Sequence, residues 1–341
     1  MLNLENPLIQ LYIRLVGGVL SGFILGRLLP ANSATYLAKF LFFFGTPFSI
    51  VAFMRRANLS GAILIAPLTA WIAILVGAGL AWIWIDLGVT EERLRAISRG
   101  IEYVNQLEPK SAIAQNIPEI KTSWSQRTQG SFLLAMMVGN TGFLGIPVIL
   151  SLLGSDLFAW ALFYDLLGTG MGLNVLGIAL ASHYGNSTQR RGKFTPLLAI
   201  VQNPALWAFA IGFVSRSLPL PAQTEKLLQT GAWTVITLSL ITIGMQLSKL
   251  TSLQNLKQGL TCLAIKMFLT PLVVGTGLMF FGVTGPARLL LVLQMAMPPA
   301  FGTTLLAETF NLDRELAVTT VAIGCVTLLF TIPIWMWLFG F

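Results

Sequence analysis

Gly139-Asn140-Thr141-Gly142-Phe143-Leu144-Gly145-Ile146-Pro147 lies in the middle of a hydrophobic span, where a membrane helix would otherwise run unbroken. A second interruption, Met297-Pro298-Pro299-Ala300-Phe301-Gly302-Thr303-Thr304, sits at the matching place in the other half of the chain. In a helix interior Gly costs about 1 kcal/mol and Pro about 3 relative to Ala. Inside a bilayer the freed backbone groups also find no water, so broken helix persists only where protein surrounds it or where it lines a cavity. These two stretches predict two broken helices at corresponding positions of an all-α membrane protein.

Composition agrees. Of 341 residues, 55% are hydrophobic and 10% charged, with a mean hydropathy of +0.78. A soluble domain carries about 25% charged residues. The net charge of +8 and pI of about 9.8 follow from Lys and Arg enrichment in cytoplasmic loops, and no nucleic-acid partner is expected. Cys262 and Cys325 both fall in hydrophobic spans and offer neither a disulfide framework nor metal-ligand spacing. His183, the only histidine, ends a span. No metal and no cofactor is expected. No basic region precedes the first apolar run, so no cleaved signal peptide is predicted.

A crossing helix needs about 20 apolar residues. Spans are predicted at about 10–29, 36–54, 62–85, 131–153, 157–183, 195–218, 227–248, 258–282, 286–307 and 315–339, ten in all. An even number places both termini on one side. The positive-inside rule puts them on the non-cytoplasmic side, since Arg93, Arg95, Arg99, Arg190, Arg191 and Lys193 then face the cytoplasm. Arg55-Arg56 is the main exception. The third helix of each half carries a proline (Pro67, Pro271) and the fourth carries the break. Residues 1–185 and 186–341 thus read as five-helix repeats, and an odd number of helices per repeat forces opposite orientations, an inverted repeat. The one long polar segment, 86–130, reads as a cytoplasmic insertion. Within it residues 90–107 are predicted to form an amphipathic helix, with Thr90 as cap and Leu94, Ile97, Ile101, Val104 and Leu107 at helical spacing.

The stretch from Asn140 to Pro147 resembles the auxin efflux carrier family, which includes the plant PIN carriers and many bacterial permeases. So does the run from Met297 through Ala307-Glu308 to Asn311-Leu312-Asp313, with a last span ending Ile332-Pro333-Ile334-Trp335. The resemblance extends over all ten spans in number, order and proline placement. It implies ten transmembrane helices arranged as a 5+5 inverted repeat, with helices 4 and 9 broken and crossing at the midplane. It also implies a plasma (inner) membrane location and allows a homodimer. Many bacterial relatives carry an Asn four residues after the first Pro of the ninth helix, where this chain has Gly302 followed by Thr303 and Thr304. The 86–130 segment is also longer than usual for the family.

Paired breaks mark the binding sites of secondary transporters. Half-helix N-termini hold carboxylates through free N–H groups and positive partial charge. Gly142 and Gly145 admit close backbone approach. Asn140 and Thr141, with Thr303 and Thr304 from the second break, supply polar side chains, and Pro147, Pro298 and Pro299 fix the breaks. Asp165 is the deepest acid and reads either as a proton- or cation-coupling group or as a structural hydrogen-bond partner. Lys266 reads as a counter-charge or substrate contact, or as a side chain snorkelling to the cytoplasmic face. Gln294, Gln246, Asn174 and Gln202 read as glue between helices. The leading expectation is a secondary carrier of a small organic anion, an auxin-like weak acid or a dicarboxylate. The alternatives are a cation-coupled or cation transporter or channel of the same fold, and an intramembrane enzyme. The last would need a nucleophile–base pair, a dyad or a metal site, and the chain has no H-E-x-x-H pattern.

Overall fold

The computed structural model describes residues 7–30, 32–59, 62–106, 124–185, 203–248 and 255–340. The described residues fold into helices: α1 (Pro7–Leu28), α2 (Ser33–Met54), α3 (Ile65–Gln106), α4 (Gln126–Met137), α5 (Thr141–Leu153), α6 (Phe158–Tyr184), α7 (Pro204–Val214), α8 (Ala222–Leu247), α9 (Leu256–Phe281), α10 (Gly285–Met295), α11 (Phe301–Thr309) and α12 (Arg314–Phe339). Seven of these segments are long and apolar enough to cross a membrane. Of the remaining predicted spans, 131–153 and 286–307 are each divided, into α4–α5 and α10–α11. The predicted span 195–218 is described only from its asparagine cap at Asn203 onward. Large apolar side chains such as Trp82, Phe280, Phe281, Phe330 and Trp337 stand exposed on the outer surface, as a lipid-facing surface requires.

The expected helix over 90–107 continues the third span without a break, because α3 runs for 42 residues. At 1.5 Å per residue such a helix is about 60 Å long, about twice the hydrocarbon thickness. The rest of the 86–130 segment, from 107 to 123, lies outside the described residues.

Local chemistry sets the helix ends. Asn203 Oδ1 accepts from Ala205 N at 3.0 Å just before Pro204 opens α7. Asp313 Oδ1 accepts from Leu316 N at 3.0 Å and caps α12. Its Oδ2 accepts from Thr128 Oγ1 at 3.0 Å and from Asn255 Nδ2 at 2.8 Å, tying the starts of α4, α9 and α12 together. Arg55, the exception to the charge bias, donates to the carbonyls of Ser215 and Leu218 and pairs with Glu225 at 3.5 Å. Its place is thus set by contacts that lock α2 onto α7 and α8.

The helices pack as two sets. One holds α1, α2, α7 and α8. The other holds α3, α4–α5, α6, α9, α10–α11 and α12. The seam between them runs where α1 and α8 meet α5 and where α2 meets α6. Within the first set, Gly18, Gly22 and Gly26 form a small-residue stripe on α1 pressed against Leu240, Ile241 and Met245 of α8. Small residues at such spacing let membrane helices approach to backbone contact. A Cβ at Gly22 would strike the Ile241 carbonyl, whereas Gly17 faces open space. Gly22→Leu is therefore expected to lower the apparent melting temperature of the purified protein by more than about 5 °C. Gly17→Leu should leave it within about 1 °C. Equal behaviour of the two variants would show that this stripe does not hold the set together.

Candidate functional site

The two breaks meet each other. After α4 ends, Val138 is extended, and Asn140 leaves the helical region with φ −80° and ψ 66°. After α10, Ala300 is extended with φ −71° and ψ 147°. Gly139 and Pro299 form an antiparallel bridge. Asn140 N donates to the Pro298 carbonyl at 2.7 Å, and Ala300 N donates to the Val138 carbonyl at 3.0 Å. Each break thus satisfies backbone groups that the other leaves free, which a low-dielectric interior requires. Gly324 of α12 leaves the space into which Pro298 and Pro299 pack; an added Cβ there would lie 2.7 Å from Pro298 Cβ.

Most of the sequence-predicted residues converge on this bridge. Asn140 is buried; its Oδ1 caps α5 by accepting from Phe143 N at 3.2 Å, and its Nδ2 has no hydrogen-bond partner among the described residues. Thr141 Oγ1 donates to Asp165 Oδ1 at 2.5 Å. Asp165 also lies against Gly142, where an added Cβ would stand 3.2 Å from Oδ2. Lys266 comes to the other side: only 2% exposed, its Cε stands 3.6 Å from where a Cβ on Gly139 would sit. The snorkelling alternative is corrected by this placement. Lys266 lies ten residues into α9, about 15 Å along the axis, too deep to reach an interface. Among the described residues it makes no ion pair.

Three of these groups sit on π-helical turns: Thr141–Gly145, Tyr164–Gly170 with Asp165, and Ile265–Leu269 with Lys266. Such turns, one residue wider than an α turn, recur at functional sites. Trp335 reinforces the last by donating its indole N–H to the Met267 carbonyl at 3.2 Å.

Thr303 and Thr304 are differently placed in chemistry from Asn140. Each donates its hydroxyl to a carbonyl three residues back, Ala300 and Phe301, both at 2.7 Å. Their hydroxyl hydrogens are committed, so toward a ligand they offer acceptors only. At Gly302 an added side chain would run into Leu173.

Gln294 is a further member of the site. It is fully buried on α10, fills the space beside Gly145, and neither Oε1 nor Nε2 has a partner among the described residues. A glutamine serving as glue between helices would be hydrogen-bonded; this one is a free amide beside the break. Its position three residues before Met297 was the available signal. Asn174, by contrast, donates to the Gly170 carbonyl of its own helix at 2.8 Å, and Gln202 lies outside the described residues.

The arrangement is a desolvated polar centre. One carboxylate, one ammonium and two amides with free donors surround a backbone bridge buried between helices. Unpaired buried polar atoms are rare in native interiors, yet Asn140 Nδ2 and both side-chain polar atoms of Gln294 stand unpartnered here among the described residues.

Comparison with known proteins gives the family. The family described as membrane transport protein (Mem_trans) matches residues 120–336. An uncharacterized transporter of Methanothermobacter thermautotrophicus is 25% identical over 324 residues, covering 93% of each chain. An uncharacterized transporter of Methanocaldococcus jannaschii is 25% identical over 216 residues, 61% of this chain and 68% of that one. The family match covers both breaks and every residue of the polar centre. The protein is an integral membrane protein and a transporter rather than an enzyme, and it belongs to the Mem_trans, or auxin efflux carrier, family.

Proposed function

We propose that this transporter is a secondary carrier of a small organic anion, an auxin-like weak acid or a dicarboxylate, held where the broken fourth and ninth helices cross. The observation that carries this reading is the polar centre: Asn140 Nδ2 and Gln294 Nε2 are buried donors without partners, and Lys266 adds an ammonium without an ion pair among the described residues. Unpartnered donors and a cation at a desolvated site favour an anion on the side of the centre away from the Asp165 carboxylate. Asn140, Thr141, Gly142 and Gly145 form one wall, and Thr303 and Thr304 contribute acceptors to a ligand hydroxyl or proton. Pro147, Pro298 and Pro299 keep the breaks rigid.

In this reading α1, α2, α3, α4–α5 and α6 are one repeat, and α7, α8, α9, α10–α11 and α12 its inverted counterpart, giving ten crossings with both termini outside. Alternating access follows if one helix set rocks against the other along the seam, exposing the centre to each side in turn. The carrier would sit in a plasma (inner) membrane, alone or as a homodimer.

A specific observation favours cation or proton coupling as a second reading. Asp165 places a carboxylate one hydroxyl away from the break through Thr141. Asp165→Asn keeps that hydrogen bond and removes the charge. Uptake of labelled malonate and indole-3-acetate into proteoliposomes, measured from pH 5 to 8 with and without sodium, tests both readings. Coupling through Asp165 predicts that the variant's uptake loses its dependence on pH or sodium. An unchanged profile would leave Asp165 a structural partner of Thr141. Saturable exchange of substrate across the bilayer separates a carrier from a channel.

A further inference from the structure

Pro333 lies inside α12. It has no N–H, so the carbonyl four residues earlier, that of Leu329, loses its helical partner. In a membrane such a carbonyl is costly unless a neighbouring group supplies a donor. The hydroxyls beside it on α12 are spent elsewhere: Thr327 donates to the Ile323 carbonyl and Thr331 to the Leu328 carbonyl. The donor is Tyr12 of α1, whose hydroxyl reaches the Leu329 carbonyl at 2.5 Å. α1 belongs to the first helix set and α12 to the second, and the two helices approach each other at few other places. The bond therefore crosses the seam, whereas the backbone bridge between Gly139 and Pro299 joins two breaks within the second set. Gly324, against which Pro298 and Pro299 pack, stands five residues before Leu329, about 7.5 Å along the axis. The Tyr12 bond thus lies beyond the crossover, toward the side on which α1 begins and α12 ends.

We propose that Tyr12 and the proline-freed carbonyl of Leu329 form a latch that holds the seam shut on that side and breaks when the two sets part. The latch presupposes the rocking of the sets proposed above. Parting them costs the Tyr12 hydroxyl its acceptor and leaves the Leu329 carbonyl without a donor. Pro333 makes that carbonyl's need conditional on closure: a residue with an N–H at 333 would satisfy it in both states, and closing would gain correspondingly less.

The test is the rate at which a charged methanethiosulfonate modifies a cysteine buried beneath the latch, read by mass spectrometry on protein in nanodiscs. Leu15 is 3% exposed and lies one turn deeper than Tyr12 on the same face of α1, so Leu15→Cys supplies the reporter. Native Cys262, fully buried inside the second set, is the internal reference, and Cys325→Ala removes the other thiol. Modification of a buried thiol follows the open fraction when opening is fast. Tyr12→Phe keeps the ring and deletes only the hydroxyl. It should speed modification at Leu15→Cys at least about fivefold, the shift expected for one lost hydrogen bond, and leave the rate at Cys262 unchanged. Pro333→Ala returns an N–H to the Leu329 carbonyl and should also speed modification; adding Tyr12→Phe to it should change the rate less than about twofold. It carries the test if Tyr12→Phe does not fold. Acceleration at both cysteines marks a loosened fold and overturns the latch. An unchanged rate at Leu15→Cys beside saturable uptake of malonate or indole-3-acetate overturns the latch and leaves the carrier reading in place. Faster modification in a protein that takes up neither would overturn the anion-carrier reading and leave the latch standing.

Discussion

Asn140→Ala is expected to weaken substrate binding about ten- to a hundredfold while leaving a monodisperse, folded protein. The two halves of the side chain carry separate jobs. Oδ1 caps α5 through Phe143 N, and Nδ2 points into the polar centre without a partner. Losing an N-cap costs about 1 kcal/mol. Removing a buried donor that has no partner returns a comparable amount, because an unsatisfied buried group carries its full desolvation penalty. Net stability should therefore move by less than about 1 kcal/mol. A ligand carboxylate, however, loses a hydrogen bond to a charged group, worth about 1.5–3 kcal/mol. Asn140→Asp sharpens the test. It keeps the cap but replaces the donor with a carboxylate, so anion binding should fall further while the helix start stays intact. Ligand-induced thermal shifts and proteoliposome uptake with malonate, malate and indole-3-acetate read both effects. Unchanged affinity in a well-folded Asn140→Ala protein would move the substrate away from the crossover.

How much of this was legible in the sequence depends on what kind of signal each feature leaves. The breaks were readable because Gly and Pro carry strong backbone penalties that stand out in an apolar run. The division of the predicted spans 131–153 and 286–307 into α4–α5 and α10–α11 follows those residues closely. The antiparallel bridge between Gly139 and Pro299 left no such mark. Nothing in either stretch encodes its partner, since the pairing uses main-chain groups that every residue except Pro possesses in full.

The depth of Lys266 is not legible in the sequence for a related reason. A lysine near the start of an apolar run ordinarily snorkels, and only the packing of α9 against the bridge fixes it inside. Gln294 went the other way. Intramembrane glutamines usually find partners on neighbouring helices, and that this one has none is a fact of tertiary structure. The π-helical turns were likewise invisible, although Pro147 and Pro271 follow two of them within two residues. A proline lacks an N–H, so a wider turn before it loses less bonding, but that tendency does not single out a position in advance. The family motif residues gained roles that sequence could not assign: Asp313 ties three helix starts together and Trp335 braces the turn that carries Lys266.

Replacement of Lys266 provides the other large expected effect, and stability and function should move in opposite directions. Lys266 is buried beside Gly139 and makes no ion pair among the described residues. Removing an ammonium from water costs several kcal/mol even after the surroundings relax, and no ion pair among the described residues offsets that cost. Lys266→Met keeps the length of the side chain with an apolar, adaptable end. The variant should therefore melt several degrees above the wild type in the absence of ligand. Its anion uptake should fall by at least about a hundredfold, the effect of deleting a charge from a desolvated site. The competing account is that Lys266 and Asp165 balance each other across the bridge, since each lies against one end of the stretch from Gly139 to Gly142. That account makes the opposite forecast for stability: Lys266→Met would strand the carboxylate and lower the melting temperature, and adding Asp165→Asn would restore it. A double-mutant cycle on melting temperature separates the two. A stabilised, inactive Lys266→Met protein with no coupling to Asp165 would identify the ammonium as held in place for the transported anion. Full uptake in that variant would remove Lys266 from the site altogether.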